Sequence, residues 1–298
     1  MNIWTNFGKK PKAKDYKLHK NFILDENSFI YREMQFALKH GYDFIANLGH
    51  STFLISYKGV RFLTDPFLSP HIFGIRRQKP ALRPDLVPEV DYIFISHAHY
   101  DHLDMRTLRR LKRNAVLIVP EHTKPVLGKI FFKKIVEIRR YGTYFDNKIE
   151  VVALPVKHNK GRSILFPNTD TVSFIIKIED RTFYFAGDTA YFEGFKDYGK
   201  DFDIHTAFLP IGGYEPTLLL KNVHMSPWEA VQAFEDLNAQ YVVPIHYGTF
   251  HTIPKFVKVE APLQHFKEEI QKRGIQDRAI IVEPNAIDIC VGLQPSVS

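Results

Sequence analysis

The sequence predicts an α/β fold in which two β-sheets pack face to face with helices outside, and three observations carry that expectation. Short apolar runs of strand type dominate each half of the chain. Helical segments are interspersed among them, so both outer faces need covering. The 298 residues, 45% hydrophobic and 24% charged, contain no repeat and no Gly-, Ser- or Pro-rich linker, which favours one large domain.

The elements follow in order. Residues 1–20 are polar and lysine-rich and read as a poorly ordered or surface-wrapped arm. Residues 26–40 carry Phe29, Ile30, Met34, Phe36 and Ala37 at helical spacing. Phe44–Asn47, Phe53–Tyr57 and Val60–Thr64 read as strands, with Lys58-Gly59 as a tight turn between the last two. Residues 66–90 hold five prolines without a period and form a long loop, a place where function often sits. Tyr92–Ser96 is a buried-type strand, Leu103–Arg113 a helix and Ala115–Val119 a strand. Glu150–Leu154, Val172–Ile178, Thr182–Ala186, Ala207–Leu209 and Tyr241–Val243 complete the expected strands. Ser226-Pro227-Trp228-Glu229 starts a helix reaching about Asn238, with Ser as cap, Pro at the first position and Glu three residues after the cap.

Chemistry concentrates at His97-Ala98-His99-Tyr100-Asp101-His102, directly after the Tyr92–Ser96 strand. The C-terminal ends of strands are where α/β proteins build sites. Imidazole and carboxylate suit zinc, iron or manganese. His97 and His99 share a face, whereas Asp101 and His102 lie past the turn, so one strand end could serve two metals. His158, Asp188 and His246 each follow another apolar run, and His224 precedes the capped helix. The strand-end residues His97–His102, His158, Asp188 and His246 could together supply one shared metal centre.

Composition narrows the partners. A net charge of +7 favours anionic ones. No nucleic-acid motif accompanies it, so no nucleic acid is expected. Phe73-Gly74-Ile75-Arg76-Arg77 and Phe131-Phe132-Lys133-Lys134 pair aromatics with cations and, if exposed, suit a membrane interface. Phe in the core with Lys at the rim is the competing reading. The single cysteine, Cys290, excludes an intrachain disulfide and fits a reducing, cytoplasmic setting with peripheral membrane contact left open. The first 20 residues lack an apolar leader core, and no run reaches membrane-spanning length. Oligomeric state is not legible.

On these residues the chain resembles the metallo-β-lactamase superfamily, whose fold is a four-layer αββα sandwich with its metal site at one edge. The matching positions are His97, His99, Asp101 and His102, then His158, Asp188 and His246. Within the superfamily it is similar to the N-acyl-phosphatidylethanolamine phospholipase D branch. That likeness rests on Asn47–Thr52, Leu63–Pro66, Phe183–Thr189, Pro210–Pro216, His224–Ala230 and Ile245–Phe250, in the family's order. Residues 44–298 would then form the hydrolase domain, preceded by an arm and helix over 1–43. The resemblance implies two divalent metals, usually zinc, with iron or manganese as alternatives. His97, His99 and His158 would hold the first; Asp101, His102 and His246 the second; Asp188 both. A hydroxide between them would be the nucleophile. Asp101 could also orient it, and that catalytic role stays open beside its ligand role. His224 is a second catalytic candidate. His50, Arg162, Tyr214 and Glu215 are candidate substrate contacts.

The implied reaction is hydrolysis of an N-acylated phospholipid or another phosphate ester. The same metal signature serves acyl transfer, so a small-molecule lactonase or esterase, similar to L-ascorbate-6-phosphate lactonase, is the alternative. One departure bears on the choice. The segment Lys157-His158-Asn159-Lys160-Gly161-Arg162 lacks the aromatic that follows the matching His in the animal phospholipase.

Overall fold

The computed structural model describes residues 23–250 and 258–290; the expected arm over residues 1–20 lies outside them. In chain order the main strands are β1 (Asp43–Gly49), β2 (Thr52–Tyr57), β3 (Val60–Thr64), β4 (Tyr92–Phe94), β5 (Val116–Pro120), β6 (Lys134–Ile138), β7 (Thr143–Phe145), β8 (Glu150–Pro155), β9 (Val172–Ile178), β10 (Arg181–Phe185), β11 (Thr206–Pro210), β12 (Tyr241–Ile245) and β13 (Ala286–Cys290). The helices are α1 (Phe29–His40), α2 (Met105–Leu108), α3 (Lys124–Leu127), α4 (Gly194–Asp201), α5 (Thr217–Leu220), α6 (Pro227–Asp236) and α7 (Ala261–Lys272). One sheet has the order β6-β5-β4-β3-β2-β1-β13 and the other β7-β8-β9-β10-β11-β12. Strands β3 to β6 run parallel, as do β10 to β12, while the remaining pairs are antiparallel.

Strand alternation divides the apolar side chains into three cores. Phe53, Ile55, Phe62, Phe94 and Ile118 of the first sheet meet Phe174, Ile176, Phe183, Phe185, Phe208 and Val243 of the second. Leu54, Leu63, Ile93 and Leu117 point the other way, toward α1 and the Leu103–Leu111 segment. Ile175, Tyr184, Ala207, Leu209 and Val242 pack against α4, α6 and α7. Both faces of both sheets are therefore covered, which is why their strands read as near-continuous apolar runs. The layers are helix, sheet, sheet, helix, as the sequence predicts.

Local sequence explains the helices that matter here. Helix α1 buries Ile30, Met34 and Ala37 and stops at Gly41, which takes the left-handed conformation with φ 69°. Helix α6 starts at the expected cap: Ser226 Oγ accepts from Glu229 N, and Glu229 Oε2 accepts from Ser226 N. The expected helix over 103–113 is corrected to a single turn, Met105–Leu108, capped by Asp104. Arg106, Arg109, Arg110, Lys112 and Arg113 place like charges at helical neighbour spacings, which works against extending it. The loop 66–90 carries only the two-residue pairs His71–Ile72 with Ile75–Arg76 and Ala81–Leu82 with Ile23–Leu24, plus the 3-10 turn Pro84–Leu86. Arg77, read as half of an aromatic-basic surface pair, is instead wholly buried, donating to the carbonyls of Phe67 and Leu48.

Candidate metal centre

The ends of five strands from both sheets meet at one edge of the sandwich. Asp65 follows β3, Ser96 to His102 follow β4, His158 follows β8, Asp188 follows β10 and His246 follows β12. Two glycines permit this convergence. A Cβ on Gly187 would lie 2.4 Å from Ser96 Cβ, so the two sheets' loops meet only through glycine there. A Cβ on Gly212 would lie 1.9 Å from the His246 carbonyl oxygen. His50 and His246 both have φ 59°, in the region non-glycine residues avoid. Held strain of this kind concentrates at functional sites.

Asp188 Oδ2 lies at the centre. It is 3.2 Å from His102 Nε2 and from His246 Nε2, 3.9 Å from His97 Nε2 and His158 Nε2, and 3.8 Å from His224 Nδ1. Around it the side chains fall into two main sets able to hold a metal: His97, His99 and His158, and His50, Asp101, His102 and His246. Further overlapping groupings are Asp65, His97 and His102, and His158, Asp188 and His224.

Three of the rings are engaged on the side facing away from the cluster. His97 Nδ1 is 2.9 Å from Ser96 Oγ, His102 Nδ1 is 2.7 Å from Asp65 Oδ2, and His158 Nδ1 donates to the Val223 carbonyl at 2.7 Å. Facing inward, His97 Nε2, His102 Nε2, His246 Nε2, His224 Nδ1 and Asp188 Oδ1 are buried with no hydrogen-bond partner among the described residues. Buried polar atoms are normally paired. A group of orphans sharing one space, with the His97, His102 and His158 rings steered by partners on their far sides, fits a bound cation.

The electrostatics agree with that donor set. Burial lowers the imidazole pKa of His99 to about 4, of His224 to about 4 and of His50 to about 3, and it pushes His97 and His158 down as well. These rings are neutral at neutral pH, the form that binds metal. For His246, burial is outweighed by Asp188 and Asp101, and its pKa rises to about 9. For Asp188, burial is outweighed by His102 and His246, which hold its carboxyl far below the usual range. For His102 too, burial is outweighed by Asp188, Asp101 and Asp65, so without metal the carboxylates of Asp188 and Asp101 hold protons on His102 and His246, and a bound cation would take their place.

The remaining candidates sit around this cluster. His50 Nε2 lies 3.1 Å from Asp101 Oδ2, while its backbone carbonyl accepts from His246 N. Arg162 Nη1 donates to the carbonyls of Ala98 and Leu103, at either end of the His97–His102 loop, and its guanidinium lies 3.9 Å from the Tyr100 ring centroid. It is therefore a clamp on that loop. The Tyr214 hydroxyl pairs with His265 Nδ1, and Glu215 Oε2 accepts from Thr217 N. Neither is placed in any of the metal-holding groupings.

Sequence reasoning missed Asp65 and Ser96 as site residues. Asp65 accepts from Ser96 N and Ser96 Oγ as well as facing His102. The signal was present: Asp65 ends the apolar run Val60–Thr64 as Asp188 ends the run through Phe183–Phe185.

The chain belongs to the metallo-β-lactamase superfamily: residues 60–247 match the β-lactamase superfamily domain. It is 31% identical over 226 residues to N-acyl-phosphatidylethanolamine-hydrolyzing phospholipase D 1 of Caenorhabditis elegans, covering 68% of this chain and 63% of that protein. It is 32% identical over 253 residues to a UPF0173 metal-dependent hydrolase of Exiguobacterium, covering 81% of this chain and 97% of that one. Among solved structures it resembles Igni18, a metallo hydrolase of Ignicoccus hospitalis, with TM-score 0.63 and 22% identity over 84% of this chain and 99% of the other. The chain spans about three fifths of the length of the mycobacterial and nematode relatives it matches.

Proposed function

We propose that this chain is a metal-dependent phosphodiesterase acting on N-acyl-phosphatidylethanolamine-type phospholipids. The observation that carries hydrolysis is the pair of ligand sets meeting at Asp188 Oδ2. His97, His99 and His158 would hold one divalent metal, Asp101, His102 and His246 a second, and Asp188 both; zinc suits these donors best. Bound there, such metals supply Lewis acidity toward a phosphoryl oxygen and lower the pKa of water from 15.7 to about 7.

The chain's own residues do the rest. His224, neutral and aimed at the cluster, donates a hydrogen bond to a phosphoryl oxygen of the substrate. Asp101 is held by His50 and orients the attacking water. Arg162 keeps the ligand loop closed. The lipid substrate rests on the likeness to the nematode phospholipase.

A second reading keeps a specific support. The match to the Exiguobacterium hydrolase covers nearly the whole of that protein, whereas the nematode phospholipase is longer. A soluble lactone or ester is the corresponding substrate.

Product identification by mass spectrometry separates the two. Zinc-loaded protein on vesicles containing N-acyl-phosphatidylethanolamine should release phosphatidate and N-acylethanolamine, and His97→Ala protein should not. If metal-loaded protein gives neither product, the phospholipid reading fails and the soluble substrate takes its place.

A further inference from the structure

Every exposed Leu and Ile among the described residues lies on two short segments beside the metal-holding cluster. Ile164 is 96% exposed and Leu165 82%, at the tip of a hairpin closed by Arg162 N to Phe166 O. Leu218 is 82% exposed and Leu219 74%, on α5. Neither segment drifts free of the site. The hairpin is fixed to both ends of the His97–His102 loop by Arg162. Helix α5 leads directly into Val223, whose carbonyl holds His158, and His224 N bonds the Leu220 carbonyl. Phe73, 76% exposed, approaches from the long loop and meets Tyr100 edge-on at 4.5 Å between ring centroids. Exposed aliphatic side chains on a fixed frame cost hydration and mark an interaction surface.

We infer that these three segments form a docking rim that inserts into an anionic lipid surface and presents the cluster's mouth to it. Charge selects the occupant. Arg76, Lys79, Lys157, Lys160 and Lys221 lie on or beside these segments, against two carboxylates, Glu215 and the Asp170 that pairs with Lys160. Cations flanking apolar wedges suit acidic headgroups above acyl chains. A second copy of this chain would bring like-charged rims together, which disfavours self-association there. The inference deepens the proposed phospholipid reading, because substrate would reach the mouth without leaving the bilayer. It also relocates the surface expected from sequence: of the aromatic-basic stretch at 73–77, Arg77 is internal, and the aliphatic tips at 164–165 and 218–219 take its place.

The test uses full-length, zinc-loaded protein and sedimentation with vesicles of phosphatidylcholine, with and without phosphatidylglycerol. Wild type should bind the anionic vesicles, less so as salt rises. The variant carrying Ile164→Gln, Leu165→Gln, Leu218→Gln and Leu219→Gln should bind roughly tenfold more weakly or worse. Lys157→Glu with Lys221→Glu should lose the preference for anionic vesicles while keeping the apolar tips. Hydrolysis of bis(4-nitrophenyl) phosphate, a soluble phosphodiester, should be unchanged in both, which also shows that they fold. Wild type that ignores vesicles, or a glutamine variant that binds them equally, overturns the docking rim. So does a dimer in solution that the glutamine substitutions dissociate, since a second copy would then cover the surface. Rim-dependent binding by a protein that cleaves no phosphodiester supports the docking and removes only the proposed reaction.

Discussion

His102 Nδ1 lies 2.7 Å from Asp65 Oδ2, and both side chains are fully buried. The Asp65 carboxylate accepts from Nδ1, which leaves Nε2 facing Asp188, 3.2 Å away, as the ring nitrogen a metal would take. Asp65 is itself held by two donors from Ser96, whose hydroxyl also lies beside His97. One carboxylate thus sets the orientation of two candidate ligands from behind. Asp65→Ala should weaken zinc binding about 10- to 100-fold, the usual cost of removing such a partner. Titration calorimetry on the metal-free protein measures it. Unchanged affinity would mean that the rings are held by packing alone.

His50 should matter to only one of the two ligand sets. Its Nε2 reaches Asp101 Oδ2 at 3.1 Å, and its carbonyl anchors His246 N at 3.0 Å. Both partners lie in the second set, whereas His97, His99 and His158 bond elsewhere, to Ser96, to each other and to the Val223 carbonyl. His50→Ala is expected to lower the affinity of one bound metal about tenfold or more and to leave the other in place. His50→Gln, which can still donate to Asp101, should recover part of the loss. Equal loss of both metals would show that His50 supports the loop as a whole.

The outline of this site was legible because strand ends carry its donors. His97, His99, Asp101, His102, His158, Asp188 and His246 all follow apolar runs, and the structure brings them to one edge. The positioning residues were harder to see. Asp65 and Ser96 are ordinary polar residues in sequence, and only the close approach of the two sheets at Gly187 gives them partners. Arg162 was legible as a cation, and a cation near a phosphate-type site suggests a substrate contact. Its two carbonyl partners at Ala98 and Leu103 are more than fifty positions away in sequence, so the clamp emerges only in the fold. The edge strands β6, β7 and β13 were missed as well. The β13 run Ala286–Cys290 is interrupted by Asp288 and acquires its identity by pairing with β1.

Metal removal should cost stability. The inward atoms of His97, His102, His224, His246 and Asp188 lack hydrogen-bond partners among the described residues, so the metal-free cluster holds unsatisfied buried groups. A ligand that binds only the folded state stabilises it by about 2.7 kcal/mol at 100 times its Kd. For a chain of this size that is a rise in Tm of roughly 4 °C. Thermal unfolding in zinc and in chelator compares the two states, and the His97→Ala protein should respond less. Coincident curves for the wild type would sink the reading of these orphaned atoms as metal ligands.

A second titration lies away from this edge and can be measured without it. His205 immediately precedes β11, its Nδ1 2.8 Å from Thr206 Oγ1. Burial, followed by the Arg181 cation, lowers its pKa to about 4 from an ordinary 6.5. Above 6.5 the ring is neutral in both folded and unfolded chains and contributes nothing to the pH dependence. Between 6.5 and about 4 the unfolded chain binds the proton more readily, so folding weakens as pH falls through that window. Below it both states are protonated and the full penalty remains. Since the ring is only partly buried, the loss is about 1–2 kcal/mol. His205→Gln removes the titration. Urea unfolding of the metal-free proteins at about pH 7 and about pH 4.5 should therefore show the variant losing less stability than wild type, by that amount. Parallel losses would mean that His205 gains enough solvent in the folded state to titrate normally.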